Sequence, residues 1–600
     1  MLFIILSRVM KPWGNTRKQN RIKRRNIFFS YMIKQNTPTL LFIFLTCWIL
    51  SISCNNGNTL REKKIVVDPD RMDKETSESI KNALSYALQH DGKIDDSIDL
   101  KLVSVVSDFY TSNEYANIWS RREKWMPLTD TLIGFLQNCE LYGLFPGDYH
   151  LKNFRSLKNK LDTDSLKRMD AELWMRADLM LTDDFMHLMK DLKRGRLPVD
   201  STFLKKSGLL VSKFFYTNTL QSLIKKKHFA NIIDSIEPKH FGYQELKKCL
   251  PRFLDSMDRT TFTYVTYPFK AHDEKDSVFF IKKMQKRLME SGCIENDMDL
   301  PDSIELNTAI KKYQKKKGIK ADGKVSASLV RLLNLTDVER FKRIAITLDR
   351  YKQLPAQMPE KYIWVNLPAF YLKLWDHDTV ALESKIICGK PATRTPLLYS
   401  VISDMVTYPT WTVPSSIIAK QYLPKLKTNP NYLTRIGLRL VNNKGETIEG
   451  GAVNWSKYTK GIPYNVVQAS GDGNALGIMK FNFSNPYSVY LHDTNQRYLF
   501  NNASRALSHG CVRVQQWQQL AFYISRNDSM HLKEGEIFRY NTDSIKSWLK
   551  TKVKKRIPVK NGIPLFITYF CCEGKNEKIR FYEDIYGEDK LMRETYFSNK

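Results

Sequence analysis

The residues best suited to catalysis lie between His492 and Arg513, where a histidine is followed by a polar loop and then by the tetrapeptide SHGC, which ends at Cys511. A cysteine is a strong nucleophile as its thiolate, and a neighbouring imidazole can accept the thiol proton. Gly510 places a flexible backbone directly before the sulfur, which suits a strained turn with an exposed Cys511 N–H. The backbone N–H groups of Gly510 and Cys511 would hold the oxyanion of a tetrahedral intermediate. The segment therefore predicts a cysteine nucleophile with a histidine base.

Three other interpretations of this segment compete with catalysis. His492, His509 and Cys511 are zinc-ligand types, but no fourth ligand follows at a matching spacing. A papain-like protease would need its own pattern around the cysteine, and that pattern is absent from the sequence. A buried structural cysteine is an odd companion for the Ser-His-Gly lead-in. We therefore predict that the reaction needs no metal ion and no organic cofactor.

The full pattern is HDT at 492–494, thirteen further residues, and SHGCVR at 508–513. It resembles the active-site signature of the YkuD-type L,D-transpeptidases. The resemblance implies a cysteine acyltransferase that acts on peptidoglycan stem peptides, with Cys511 as the nucleophile and His492 as the general base. It also implies that the backbone carbonyl of Asp493 orients the imidazole. The residues that would build the pocket are Ser508, His509, Gly510 and Arg513.

The segment SGDGNALGIMKF (470–481) resembles a strand and turn that lie near the nucleophile in the same family. Its Asn474 and Gly477 are predicted to contact the substrate. Its glycines do not predict a phosphate-binding loop, because no Lys-Ser/Thr pair follows them. Two roles stay open for Arg513, which either pairs with a substrate carboxylate or locks the nucleophile loop.

The composition describes a globular chain, with 42% hydrophobic residues and a formal net charge of +31. Such a charge prompts a nucleic-acid hypothesis, but the basic residues are spread along the chain and no nucleic-acid-binding motif accompanies them. We expect no nucleic-acid partner and instead a basic exterior that tolerates anionic envelope polymers. The nine cysteines form no CxxC pair and no metal-binding spacing.

The first 54 residues read as a targeting segment. A basic leader precedes the apolar run Thr39 to Ser53, which is short for a membrane span but suits the core of a signal peptide. The run ends at Cys54 in a pattern that resembles a lipoprotein signal, which implies lipidation of Cys54. The alternative is an uncleaved N-terminal anchor with the basic leader inside. Either way, we expect a periplasmic protein tethered to a membrane.

Apolar periodicity divides the rest of the chain. Three- and four-residue spacing predicts helices up to about residue 270, and β-branched and aromatic runs such as Tyr362 to Phe370 predict strands after about residue 340. The predicted fold class is multidomain α+β. Its parts are a linker (55–75), a helical scaffold domain (76–270), a three-helix peptidoglycan-binding-like domain (278–335) and a mostly-β L,D-transpeptidase catalytic domain (340–590) with an inserted capping subdomain (418–463).

Two of these assignments have alternatives. Two patches, 109–119 together with 143–150, and 179–197, resemble the N-terminal scaffold of large periplasmic L,D-transpeptidases. Within the second patch, Asp183, Asp184 and His187 have the helical spacing of a metal site, but a solvated helix face explains them as well. The unit at 278–335 resembles a peptidoglycan-binding domain, and the alternative is a spacer helix bundle.

The resemblance implies an enzyme that forms 3→3 cross-links between stem peptides and that carbapenem-type inhibitors acylate. An L,D-carboxypeptidase with water as the acceptor is the second hypothesis. The third is a non-catalytic scaffold that binds the cell wall, against which the intact Cys511 and His492 argue. The expected partners are peptidoglycan stem peptides and the membrane that anchors the chain.

Overall fold

The computed structural model describes residues 63–198, 211–226, 228–267, 274–295, 303–532 and 536–597. The predicted leader, its lipidation site Cys54 and the first part of the 55–75 linker lie outside these residues. Within the described ranges, no helix combines the length and apolar character that a membrane span requires. All elements given below belong to one unit, Ile65–Lys600.

The N-terminal region is helical apart from one two-stranded ribbon. Its elements are α1 (Pro69–Gln89), α2 (Val103–Ser112), β1 (Ser120–Arg121), β2 (Lys124–Trp125), α3 (Pro127–Gln137), 3₁₀ turns at Cys139–Tyr142 and Pro146–Asp148, α4 (Leu151–Thr163), α5 (Ser165–Arg168), α6 (Ala171–Arg194), α7 (Lys213–Lys226), α8 (Phe229–Ile236) and α9 (Phe241–Asp255). Most residues of the 24-residue α6 are buried, which places this helix at the centre of the N-terminal region.

Helix α6 carries buried carboxylates that hold the surrounding loops. Asp178 accepts the backbone N–H of Trp119 at 2.9 Å, and Asp183 accepts that of Leu102 at 2.7 Å. Asp184 accepts the N–H of His150 at 2.9 Å. The solvated helix face expected from the sequence is therefore wrong, since these carboxylates are buried and satisfy the free N–H groups of neighbouring segments.

The histidine beside these acids is also not the one expected. His187 lies 3.4 Å from Asp191, whereas His150 Nδ1 lies 2.8 Å from Asp184. His150, Asp183 and Asp184 have ligand atoms within 4.8 Å of one another. Because backbone N–H groups already engage both carboxylates, this cluster braces the scaffold.

A three-helix unit follows, formed by α10 (Glu274–Glu290), α11 (Ser303–Lys316) and α12 (Ala327–Leu333). It has its own core, which includes Met284, Leu288, Ile310 and Tyr313. The Ser326 hydroxyl caps α12 by accepting the N–H of Leu329 at 3.2 Å. Residues 296–302 of the predicted 278–335 domain lie outside the described residues.

Helix α13 (Asp337–Lys352) connects the helical regions to the sheet. Its Tyr351 packs against Trp364, which lies in the sheet, and Phe570, which follows one of its strands, with ring centroids 6.5 and 4.4 Å away. On its other side, Asp349 accepts the backbone N–H of Arg196 at 2.8 Å. A shared aromatic layer thus joins the N-terminal helices to the C-terminal domain.

The C-terminal domain is built on one large sheet. Its strands are β3 (Lys361–Asn366), β4 (Tyr371–Asp376), β5 (Thr379–Gly389), β6 (Leu398–Thr407), β11 (Met479–Phe483), β12 (Leu491–His492), β13 (Ala506–Ser508), β14 (Val512–Val514), β15 (Lys555–Pro558) and β16 (Pro564–Thr568). The order is β11-β12-β14-β5-β4-β3-β16-β6-β15, with β13 paired to β5, and β11 also pairs with β6. This last pairing closes the sheet around an apolar core.

Shorter elements complete the domain. These are α17 (Trp517–Ser529), α18 (Thr542–Lys550), the hairpin β17 (Cys572–Lys575) and β18 (Lys578–Phe581), α19 (Glu588–Tyr596) and 3₁₀ turns at Pro391–Thr393 and Arg497–Asn501. Leu520 and Ile524 of α17 pack into the core of the sheet.

The chain between β6 and β11 forms a subdomain with a separate core. Its elements are β7 (Trp411–Thr412), α14 (Ser415–Ile417), a π-helical turn (Ile418–Tyr422), α15 (Leu423–Thr428), α16 (Tyr432–Arg435), β8 (Leu438–Val441), β9 (Thr447–Ile448), 3₁₀ turns at Gly450–Ala452 and Trp455–Lys457, and β10 (Asn465–Gln468). Leu426, Leu440, Trp455 and Val466 are among its core residues. The predicted insertion 418–463 lies within this subdomain.

Candidate active site

Strand register brings the two segments of the HDT–SHGCVR pattern together. Strands β12 and β14 pair in parallel, with Leu491 opposite Val512 and His492 opposite Arg513. Leu491 and Val512 are fully buried in the core of the sheet. Because side chains alternate between the two faces of a strand, His492 and Arg513 lie on the other face.

The same alternation places Cys511 on the face that carries the histidine. The N–H of Val512 donates to the carbonyl of Tyr490 at 3.2 Å, so Tyr490 and Cys511 lie beside each other just before the paired strands. Tyr490 and His492 are in edge contact, with ring centroids 5.6 Å apart. The nucleophile and base predicted from the sequence therefore share one face of the sheet.

A third strand adds a cation to this face. Lys480 of β11 is the register partner of His492, and its ammonium lies 4.1 Å from the centroid of the Tyr490 ring. One row across the strands is thus Lys480, His492 and Arg513, and the adjacent row holds Tyr490 and Cys511. Lys480 and Tyr490 were not among the predicted site residues. Tyr490 lies two residues before His492, which places both on one side of a strand. The position of Lys480 depends on the pairing of β11 with β12.

The loop before the nucleophile is held by hydrogen bonds from both sides. Gly510 has a φ of +123°, which a residue with a side chain rarely adopts. Its carbonyl accepts the Thr395 hydroxyl at 2.8 Å, and the Cys511 carbonyl accepts the buried Ser508 hydroxyl at 2.6 Å. Ser508 therefore shapes the loop, rather than opening into the pocket as predicted.

Only one of the two predicted oxyanion donors is available. The Gly510 N–H donates to the Ser508 oxygen at 3.1 Å. Within the described part of the chain, the Cys511 N–H has no such partner. The expectation that both groups hold the oxyanion is corrected accordingly, because an N–H that is already bonded inside the loop cannot point at the substrate.

The imidazole of His492 is held neutral. Burial lowers its pKa to about 3, the Arg513 guanidinium adds to this effect, and the carbonyls of Asp493 and Leu476 oppose it. The Asp493 carbonyl therefore faces the ring. However, Nδ1 is buried without a hydrogen bond of normal geometry to any residue that the structure describes. A neutral imidazole can act as a base.

The Cys511 thiol is also neutral in this environment. Burial raises its pKa above the ordinary value of 9.0, while hydrogen bonding with Tyr490 and the charges of Lys480 and Arg513 lower it. Burial likewise raises the pKa of the Tyr490 hydroxyl, and the neighbouring Cys511 raises it further. The pair is therefore a thiol and an imidazole, and the ion pair considered from the sequence is disfavoured by desolvation.

This charge state predicts the pH dependence of thiol alkylation. We expect iodoacetamide to modify Cys511 slowly at neutral pH, and the rate to rise about tenfold per pH unit until above pH 9, because the thiolate is the reactive form and burial raises the thiol pKa. Peptide mapping by mass spectrometry between about pH 6 and about pH 10 measures the rate. A plateau already reached near neutral pH would show a preformed thiolate–imidazolium pair.

Asn474 and Gly477 serve the loop beside His492, and not the substrate as predicted. The buried Asn474 amide donates to the Ala469 carbonyl at 2.8 Å, and its oxygen accepts the Leu476 N–H at 2.8 Å. Gly477 has a φ of +65°, and a Cβ there would lie 2.3 Å from an Asp493 carboxylate oxygen. Both residues therefore position the segment whose carbonyls face the imidazole.

Substitution of Gly477 tests this contact. We expect Gly477→Ala to lower the free energy of unfolding by about 1–3 kcal/mol and to slow acylation, because the Asp493 side chain must move and its backbone moves with it. Urea titration and single-turnover acylation measure the two effects. Gly473→Ala is the matched control, since a Cβ at Gly473 meets nothing within 4 Å. Equal behaviour of the two variants would contradict the positioning role.

His509 and Arg513 differ in their surroundings. His509 is exposed, and its Nε2 accepts the Gln421 amide of the inserted subdomain at 2.5 Å. Arg513 donates to Gln496 at 3.2 Å, and its buried Nε has no partner among the described residues. His509 thus contacts the subdomain beside the site, while Arg513 faces the imidazole.

Two clusters of metal-ligand types occur in the described ranges, and neither includes Cys511 or His492. One is the His150 cluster of the scaffold, and the other consists of Cys571, Asp584 and Asp589. In the second cluster, Asp589 accepts Arg350 at 2.5 Å and Asp584 accepts the Tyr569 hydroxyl at 2.6 Å. Both clusters are engaged by protein donors.

Comparison with known proteins finds two family matches. Residues 104–250 match the family described as a scaffold domain, and residues 360–532 match the L,D-transpeptidase catalytic domain. A curated protein of Haemophilus influenzae, whose name assigns it provisionally to the L,D-transpeptidases, is 34% identical over 251 residues. This match covers 42% of the present chain, which spans about half (49%) of the length of that relative.

Solved structures of L,D-transpeptidases also overlap the chain. The catalytic domain of the Enterococcus faecium enzyme acylated by ertapenem is 16% identical, with 35% of this chain and 99% of that one covered and a TM-score of 0.16. The enzyme from Mycobacterium smegmatis is 11% identical, with coverages of 35% and 58% and a TM-score of 0.16.

Proposed function

The chain carries a catalytic domain of the L,D-transpeptidase family at residues 360–532, and from this premise we propose that it forms 3→3 cross-links between peptidoglycan stem peptides. The intermediate in this proposal is a thioester on Cys511. The observation that carries the proposal is the shared sheet face of Cys511 and His492, which follows from the register of β12 and β14.

The first half-reaction acylates the enzyme. As the sulfur of Cys511 attacks the carbonyl carbon of the third residue of a donor tetrapeptide, His492 takes the thiol proton. The Cys511 N–H stabilises the oxyanion of the tetrahedral intermediate. The C–N bond then breaks, and the terminal D-amino acid leaves as an amine that takes the proton from His492. A thioester remains on Cys511.

The second half-reaction reverses these roles. The side-chain amine of a second stem peptide attacks the thioester carbonyl and gives a proton to His492. The C–S bond breaks, the thiolate recovers that proton, and an amide links the two stems. Water in place of the amine would release a tripeptide, which is the carboxypeptidase reaction.

We further propose a location and an inhibitor class. The apolar run that ends at Cys54 supports a periplasmic protein tethered by a lipid or an N-terminal anchor. The three-helix unit supports attachment to the cell wall through residues 278–335. Carbapenems are expected to acylate Cys511, as ertapenem acylates the Enterococcus faecium domain.

Intact-protein mass spectrometry with product analysis tests the proposal. The fragment that begins after Cys54 is incubated with purified disaccharide-tetrapeptide. An adduct on Cys511 together with dimers joined 3→3 supports the transpeptidase. An adduct with only shortened tripeptide assigns the carboxypeptidase instead. The absence of adduct, of product and of acylation by a carbapenem would overturn both.

A further inference from the structure

One cation beside the nucleophile lacks an anionic partner. Lys480 is half-buried on the face of the sheet that carries Cys511, and its ammonium lies over the Tyr490 ring. Within the described chain, it makes no ion pair and donates no hydrogen bond. The Asp404 carboxylate, which affects the pKa of Lys480, instead accepts hydrogen bonds from Asn482 at 2.7 Å and Arg556 at 3.2 Å.

The other cations of the site are already engaged. Arg497 forms a two-pronged contact with the Asp493 carboxylate, at 3.1 and 2.6 Å. Arg513 donates to Gln496 at 3.2 Å. The Arg513 Nε that lacks a partner is buried, so Lys480 is the cation of this site whose whole head group is free of hydrogen bonds and ion pairs with described residues. A partly desolvated ammonium gains most when a substrate supplies the opposite charge.

The position of Lys480 identifies which part of a donor peptide it reaches. In the proposed reaction, His492 gives its proton to the leaving amine, so that nitrogen must lie over the imidazole. The carboxylate of a leaving α-amino acid is separated from its nitrogen by one carbon atom. Lys480 is the direct register neighbour of His492, so the carboxylate falls beside its ammonium.

We propose that Lys480 binds the terminal carboxylate of the leaving D-amino acid and thereby selects donors whose scissile amide adjoins a free carboxylate. This inference rests on the proposed function. It makes Lys480 a specificity-determining residue, which acts on the donor and not on the acceptor amine. Burial lowers the pKa of Lys480, and the nearby Asp404 carboxylate opposes that effect. A bound carboxylate would also raise the pKa of Lys480 and so favour the ammonium form.

Paired donors test the inference. One is the tetrapeptide with a free C-terminal carboxylate, and the other is the same peptide ending in a carboxamide. The acylation efficiency kcat/KM is measured for the wild-type protein, Lys480→Gln and Lys480→Arg. Lys578→Gln is the matched control, because Lys578 is exposed on β18 in a separate two-stranded sheet.

We expect Lys480→Gln to lower kcat/KM for the free acid roughly tenfold to a hundredfold more than for the carboxamide, the effect of losing one charge-assisted hydrogen bond. Lys480→Arg should keep the preference for the acid. Retained carboxamide turnover also shows that the variant is folded. Equal losses on both donors, or no loss on either, would overturn the inference. Failure of the proposed function is distinguishable, because the wild-type protein would then form no adduct with either donor.

Discussion

Cys511→Ala is expected to abolish acyl-enzyme formation while leaving the protein folded. The substitution removes the sulfur that forms the thioester in the proposed reaction, and no other cysteine lies on the His492 face of the sheet among the described residues. Loss of a nucleophile lowers kcat by at least about a thousandfold in enzymes of this type. Cys511 lies in a loop at the edge of the core, so its replacement by a smaller side chain leaves the strand pairing intact. Intact mass after incubation with donor tetrapeptide measures the adduct.

The control is Cys293→Ala, which removes a buried thiol from the three-helix unit. It should acylate at the wild-type rate. Retained turnover in Cys511→Ala would assign the chemistry to another residue and would end the cysteine mechanism. Circular dichroism of both variants separates a loss of chemistry from a loss of fold.

His492→Gln is expected to slow acylation by about 10²–10⁴-fold, the usual contribution of a general base. The reason is specific to this site. The thiol pKa is raised by burial, so little thiolate exists at neutral pH without a base to take the proton. The imidazole is buried and neutral, so one of its nitrogens carries no proton and can take the thiol proton as the sulfur attacks. Single-turnover acylation, followed by mass, measures the rate.

His509→Gln is the matched control for the base. His509 is exposed and bonded to Gln421 of the inserted subdomain, so its loss should change acylation by less than about tenfold, which is below the roughly 10²–10⁴-fold contribution of a proton-transfer group. If His492→Gln retained the wild-type rate and His509→Gln lost it, the base would be His509. Raising the pH should partly restore His492→Gln, because hydroxide then produces the thiolate directly.

The candidate nucleophile and base could be predicted from the sequence because their pattern is local. HDT and SHGCVR are each short, continuous segments of the chain, and the residue types that they contain suit acyl transfer. The change from helical to strand periodicity near residue 340 was predictable for the same reason, since apolar spacing depends on neighbours along the chain. The helical N-terminal region and the mostly-β C-terminal domain are confirmed.

The roles of the other polar residues could not be predicted, because they depend on the contacts that these residues make in the folded chain. The spacing of Asp183 and Asp184 on a helix does not reveal that backbone N–H groups from residues 102 and 150 will bury them. The role of Ser508 depends on which groups its hydroxyl meets, and it bonds within its own loop. Asn474 likewise forms hydrogen bonds with backbone groups of a turn whose shape the sequence does not reveal.

The sequence by itself determined which side chains could react, because residue types set nucleophilicity, basicity and charge. Tertiary structure decided which of these groups meet. Lys480, His492 and Arg513 are separated along the chain, and only the pairing of β11, β12 and β14 aligns them in one row. A shift of one residue in that register would turn Lys480 into the core, because side chains alternate between the faces of a strand. Burial of this face of the sheet keeps the Cys511 thiol and the His492 imidazole neutral, since desolvation depends on what surrounds a group in space and not on its neighbours in sequence.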